Sequence, residues 1–129
     1  MDEENEVPTG AKIEELVARV FDDRNAAHLA HWRTGSYAQH EALGDFYDGV
    51  IEIIDKVVEV FQGKFGIISD LPTIPQLFKS TIAQRLAVTE EWIALNAESV
   101  ANGLESAENI IAELQGLYNS TLYKLNNLS

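Results

Sequence analysis

Residues 34–62, TGSYAQHEALGDFYDGVIEIIDKVVEVFQ, carry the pattern that decides the fold. Leu43, Tyr47, Val50, Ile54, Val57 and Phe61 recur at spacings of three and four, the period of a helix with one buried face. The stretch also brings its own start signal. Thr34-Gly35-Ser36 interrupts the preceding periodicity, and Ser36 followed three residues later by Gln39 has the pattern of a capping box. A helix is therefore predicted over residues 37–62, entered through a tight hairpin from a helix before it.

That earlier helix is predicted over residues 11–32. Pro8 and Thr9 stand as stop and N-cap, and Ile13, Leu16, Val17, Val20 and Ala27 form its apolar stripe, which continues through Arg24, His28 and His31. Downstream, Gly63 to Leu71 is predicted to be a linker. Its Phe65, Ile67 and Ile68 are too apolar to hang in water, so it should lie along the bundle. Thr73-Ile74-Pro75-Gln76 suggests a capped start for a third helix with stripe Phe78, Ile82, Leu86, Ile93, Ala97 and Val100, ended by Asn102-Gly103. A fourth helix is predicted over residues 106–128, with Ile110, Ile111, Leu114, Leu117, Thr121, Leu125 and Leu128 facing inward.

Four amphipathic segments without strand-type alternation predict an all-α four-helix bundle. The second helix, at about 26 residues, would be ~39 Å long, and a linker of about 11 residues reaches roughly 36 Å. A simple up-and-down bundle needs only a few residues there. The excess favours a ferritin-like bundle with a crossover connection between the second and third helices.

The 129 residues suit one domain, expected over residues 10–129 behind an acidic tail at residues 1–9. Nine Lys+Arg against 21 Asp+Glu give a net charge of -12, which repels phosphate backbones and anionic lipid, so neither nucleic acid nor membrane is an expected partner. No cysteine is present, which removes disulfides and thiolate metal sites and leaves His, Asp and Glu as ligands. The opening MDEENEVPTG resembles no secretory leader, and no apolar run approaches the roughly 18 residues of a membrane span. A cytoplasmic protein is the expectation.

His28, His31 and His40 lie within 13 residues around the first hairpin. Along the second helix Asp45, Asp48, Glu52, Asp55 and Glu59 recur at spacings of three and four, stacking five carboxylates in one line. A carboxylate stripe alone marks a solvated face, and neighbouring histidines are most often hydrogen-bonded structural residues. Together they supply the mixed imidazole and carboxylate donors that iron prefers, with Asp55 and Glu59 as an i, i+4 clasp.

The stretch AHLAHWRTGSYAQHEALGDFYDGVIEIIDKVVEVFQGKFG, residues 27–66, resembles the signature of the Dps family, the mini-ferritins. His31-Trp32, Gly35, Tyr37, His40-Glu41, Tyr47, Asp55 and Glu59 follow that pattern in order, and the last helix is similar to the family's closing helix. The resemblance implies a ferroxidase that oxidises Fe(II) with peroxide or dioxygen at a dimer interface and stores the product in a shell of twelve subunits. It implies His31 and His40 as ligands from one chain and Asp55 and Glu59 from its twofold mate, with Asp48, Asp45 and His28 in reserve. Trp32 and Tyr47 would pack beside the site. Gly44 stands where the family has an acidic ligand, and the acidic tail lacks the family's lysines for DNA. The expected assembly is a homo-oligomer of at least two subunits. The alternative is a non-catalytic ferritin-like scaffold or interaction module, with or without a structural Zn or other divalent ion.

Overall fold

The computed structural model describes residues 10–75 and 80–129. Four helices account for most of them: α1 (Ile13–Arg33), α2 (Tyr37–Phe65), α3 (Ile82–Ala101) and α4 (Glu105–Asn127). No strand occurs among the described residues. The protein is an all-α four-helix bundle, and no described helix is long and apolar enough to cross a membrane.

The helices form where local chemistry and burial agree. α2 starts at Ser36, whose side-chain oxygen accepts from the Gln39 N–H at 3.2 Å. α3 ends where Asn102 turns left-handed at φ 54, a conformation asparagine tolerates better than most residues. The stripes read from the sequence are the core: Leu16, Val17, Val20, Leu43, Val50, Ile54, Leu86, Ile93, Ile111 and Leu114 are all buried. At roughly 1.5–3 kcal/mol for each large apolar side chain, this burial is the main force holding the bundle.

Cross-helix contacts give the arrangement. α1 packs on α2 and α3, and α4 packs on the same two helices. Ser99 donates to the Ala11 carbonyl at 2.9 Å, the Arg19 guanidinium lies 4.7 Å over Trp92, and Arg85 meets Asp23 at 3.3 Å. Rising numbers on α1 therefore meet falling numbers on α3, and the two are antiparallel. Phe46 against Tyr118 and Lys56 against Glu113 make α2 and α4 antiparallel in the same way.

Two boundaries differ from the sequence reading. α2 runs past Gly63 to Phe65, because an interior glycine weakens a helix by only about 1 kcal/mol and Phe61 meets Phe65 one turn on, at 4.8 Å between ring centres. The turn comes at Gly66, with φ 102. The third helix does not start at Thr73. Ile74 precedes Pro75, whose ring disfavours helical backbone at the residue before it. The start is at Thr81, whose reciprocal capping box with Gln84 is complete. Gln76 and Phe78, with Pro8 and Thr9, lie outside the described residues.

The connection after α2 does run along the bundle. The Ser69 N–H donates to Glu14 Oε2 at 2.7 Å on the first turn of α1, and Ile74 and Pro75 lie beside Arg19 and Asp22 further along that helix. Ile68 packs against the core, whereas Ile67 is 84% exposed. Neighbouring side chains of an extended segment face opposite ways, so covering one leaves the other bare.

The core also holds a charge. Asp23 is 2% exposed, accepts from the fully buried Tyr118 hydroxyl at 2.7 Å, and pairs with Arg85. Burial pushes its carboxyl above the ordinary value of 3.8, against hydrogen bonds from Thr89 and Tyr118 and the charge of Arg85. The folded state thus holds the Asp23 proton more tightly than the unfolded chain. Its contribution to stability is present below the ordinary carboxylate range and declines as pH rises through the folded value. Asp23→Asn is expected to flatten that part of the curve of unfolding free energy against pH. Tyr118→Phe, which removes one donor to a buried carboxylate, should destabilise by about 1–3 kcal/mol. Asp23→Ala, which removes the carboxylate shared by Arg85 and the buried Tyr118 hydroxyl, should cost about 3–5 kcal/mol in urea unfolding.

Candidate metal centre

The three-residue connection between α1 and α2 brings His31, in the last turn of one helix, over His40, in the first turn of the next. Their rings stack with centroids 3.7 Å apart and planes 19° from parallel. His31 Nδ1–H donates to the His40 carbonyl at 2.7 Å, and His40 Nδ1–H donates to the His31 carbonyl at 2.8 Å. A carbonyl oxygen only accepts, so each ring carries a proton on Nδ1, and in the neutral form of each ring Nε2 keeps a lone pair. The His31 carbonyl is among those that α1 leaves unpaired at its C-terminus, so His40 caps that helix from outside.

Gly44 explains how His31 comes so close. A Cβ at this position would lie 3.1 Å from His31 Cε1 and 3.3 Å from Nδ1. The bare backbone of α2 there is the seat of the imidazole. Any side chain at residue 44 would require the His31 ring to give by a few tenths of an ångström.

A second stack adjoins the first. His28 lies 4.0 Å from Tyr47 and 4.5 Å from Trp32 between ring centres, and Arg24 sits 5.2 Å over Tyr47. His28, His31, His40 and Tyr47 are half-buried, while Trp32 is 67% and Tyr37 76% exposed. The hairpin thus ends in an aromatic cluster with its outer rings in water.

The carboxylates are elsewhere. Asp45, Asp48, Glu52, Asp55 and Glu59 are all exposed along α2. Asp55 and Glu59 border a groove of about 450 Å³, walled by Val17, Ile54 and Val58 and by the chain at Ile68–Leu71. His40 and Asp55 are fifteen positions apart on one helix, about 22 Å along its axis. One chain therefore gathers the two histidines and, separately, the two acids. Among the described residues no group of three or more His, Asp or Glu is placed to hold one ion. The stacked rings cannot chelate alone either. Each lone pair lies in its ring plane, and planes 3.7 Å apart do not converge at the ~2.1 Å of a metal–imidazole bond.

The sequence reading missed the Asp23, Thr89, Arg85 and Tyr118 cluster. Its signal was present: Leu16, Val20, Asp23 and Ala27 are spaced four, three and four, which sets a carboxylate on the apolar stripe of α1. The stripe was traced through Arg24 instead, one position round the helix.

The fold and these residues define a four-helix-bundle protein with an imidazole pair at one hairpin and an acidic face on α2. A family model, the family of unknown function DUF5856, matches residues 31–125, and the chain belongs to that family. The matched span includes His31, His40, Gly44 and the five carboxylates of α2 and leaves His28 and Asp23 outside. No curated protein and no solved structure matches the chain.

Gly44→Ala tests the seat of His31. Alanine should gain about 1 kcal/mol of helix propensity, but its Cβ would press on the His31 ring at 3.1 Å, so a smaller stabilisation than that is expected. The hydrogen-bonded Nδ1–H of His31 should shift in the imidazole region of the proton NMR spectrum as the ring gives way. His40→Ala should cost about 1–2 kcal/mol for the lost cap and stack.

Proposed function

We propose that this is a Dps-like, ferritin-fold protein that binds Fe(II) as its substrate and oxidises it with peroxide or dioxygen at a site completed by a second copy of the chain. The observation that carries the reading is the tautomer of the imidazole pair. Histidines that bind metals usually donate the other ring N–H to a carbonyl or carboxylate, which fixes the ring and raises its basicity. Both His31 and His40 are arranged in this way, with Nε2 left for an ion.

The helix pairing supports the ferritin-like part. With α1 antiparallel to α2 and to α3, the long connection carries the chain back along the bundle, as a crossover between the second and third helices does. The separation of histidines from acids supports a shared site: His31 and His40 of one copy would meet Asp55 and Glu59 of another, with Asp48, Asp45 and His28 as further donors. Each of two Fe(II) ions gives up one electron. Hydrogen peroxide takes both electrons and two protons, its O–O bond breaks, and two waters leave. Tyr47, edge-on to His31 at 5.3 Å, and Trp32, against His28, would serve as oxidisable rings near the site.

A second reading, a non-catalytic scaffold with or without a structural divalent ion, is favoured by Gly44. The reciprocal bonds give both histidines a structural task, and the position one turn after His40 is Gly44 rather than an acid.

Following ferric absorbance after Fe(II) addition under air or peroxide separates the two readings. The protein should accelerate oxidation, and Asp55→Asn with Glu59→Gln should abolish the acceleration with helical circular dichroism unchanged, since both side chains are exposed. Oxidation no faster than in buffer would leave the scaffold. The mass in solution should be that of a dimer or a larger closed assembly, and a monomer at working concentration would overturn the shared site.

A further inference from the structure

A cavity of about 430 Å³ opens where the last turn of α1, the first turn of α2 and the start of α3 meet. Its volume falls within the range of small-molecule sites, and Leu29, Leu43 and Ile82 give it an apolar wall. Its described ionisable lining residues are two arginines, Arg33 and Arg85, in a chain whose net charge is -12. Among the described residues no carboxylate lines that wall.

The polar groups around it are biased toward donors. Arg85 is fixed through its Nε to Asp23 Oδ1 at 3.3 Å, which anchors that guanidinium to the core. Arg33 makes no ion pair among the described residues and stands at the rim. Gln39 accepts from the Thr34 hydroxyl at 3.4 Å through Oε1, and its NH₂ has no partner among the described residues. A cation would meet the charge of Arg33 here, that of Arg85 being paired with Asp23. A neutral apolar molecule would gain nothing from the arginines. A molecule with one anionic head and a short apolar body satisfies both halves of the lining, with a charge-assisted bond for the head and burial for the tail.

We propose that this cavity binds a small amphipathic monocarboxylate, its carboxylate on Arg33 and its chain against Leu29, Leu43 and Ile82. The site is independent of the iron reading, since it uses none of the proposed ligands.

Calorimetric titration of the full chain with octanoate, 1-octanol and octylammonium tests it. Octanoate should bind saturably at one site per chain, with the alcohol and the amine at least about tenfold weaker. Arg33→Gln, at an exposed position, should weaken octanoate binding by about tenfold or more. Leu29→Trp, which fills the cavity from a partly exposed position, should abolish it. Both variants are checked for unchanged helical content. Octanol binding as tightly as octanoate, undiminished affinity in Arg33→Gln, or no saturable octanoate binding at millimolar concentration would each overturn the assignment.

Discussion

The buried carboxylate of Asp23 is the constraint on which the rest of the bundle depends. An apolar core fills space but does not choose among helix registers that bury similar area. Asp23 does choose, because an unpaired carboxylate in that position would cost several kcal/mol. Arg85 of α3 and Tyr118 of α4 reach it only when three helices stand in one mutual register. Phe46 of α2 then packs edge-on against the Tyr118 ring, 5.0 Å between centres, which ties in the fourth. The connection after α2 follows from the same arrangement, since α3 must begin beside the middle of α1 for Arg85 to meet Asp23.

The hairpin uses a different economy. Its three-residue turn leaves α1 with unpaired carbonyls, and the fitting donor comes from His40 rather than from α1 itself. His31 returns the bond, and Gly44 makes room for the ring. Capping, close approach and tautomer are thus one feature. It fixes the imidazoles whether or not an ion is present, so the histidines would be preorganised for the iron chemistry proposed above and useful to the fold without it.

What was legible in the sequence follows from the range of each effect. The stripes on α2 and α4 and the stop at Asn102-Gly103 depend on residues a turn apart, and they are where periodicity put them, except Leu128, which follows the last turn of α4 and is exposed. The start of α3 was misjudged because Thr73-x-x-Gln76 and Thr81-x-x-Gln84 offer the same local signal, and only the backbone restriction before Pro75 tells against the first. The family resemblance pointed to His31 and His40, but no spacing argument predicts that their rings stack or that Gly44 seats one of them. Asp23 was overlooked because its partners are 62 and 95 positions away, and a charge on an apolar stripe is interpretable only with those partners in view.

Electrostatics sets the terms for any assembly through α2. Five exposed carboxylates in one line repel a symmetry copy of themselves, and at contact distances that repulsion outweighs what modest apolar burial returns. Offsetting the copies so that the acids of one face the hairpin of the other removes the like-charge contact. It would set Asp55 and Glu59 against the Nε2 edges of His31 and His40, a mixed donor set that a divalent cation held between the copies would join. In the shared site proposed above, metal and association would be linked: each copy would supply the half-shell the other lacks, and the divalent ion would supply the attraction between them.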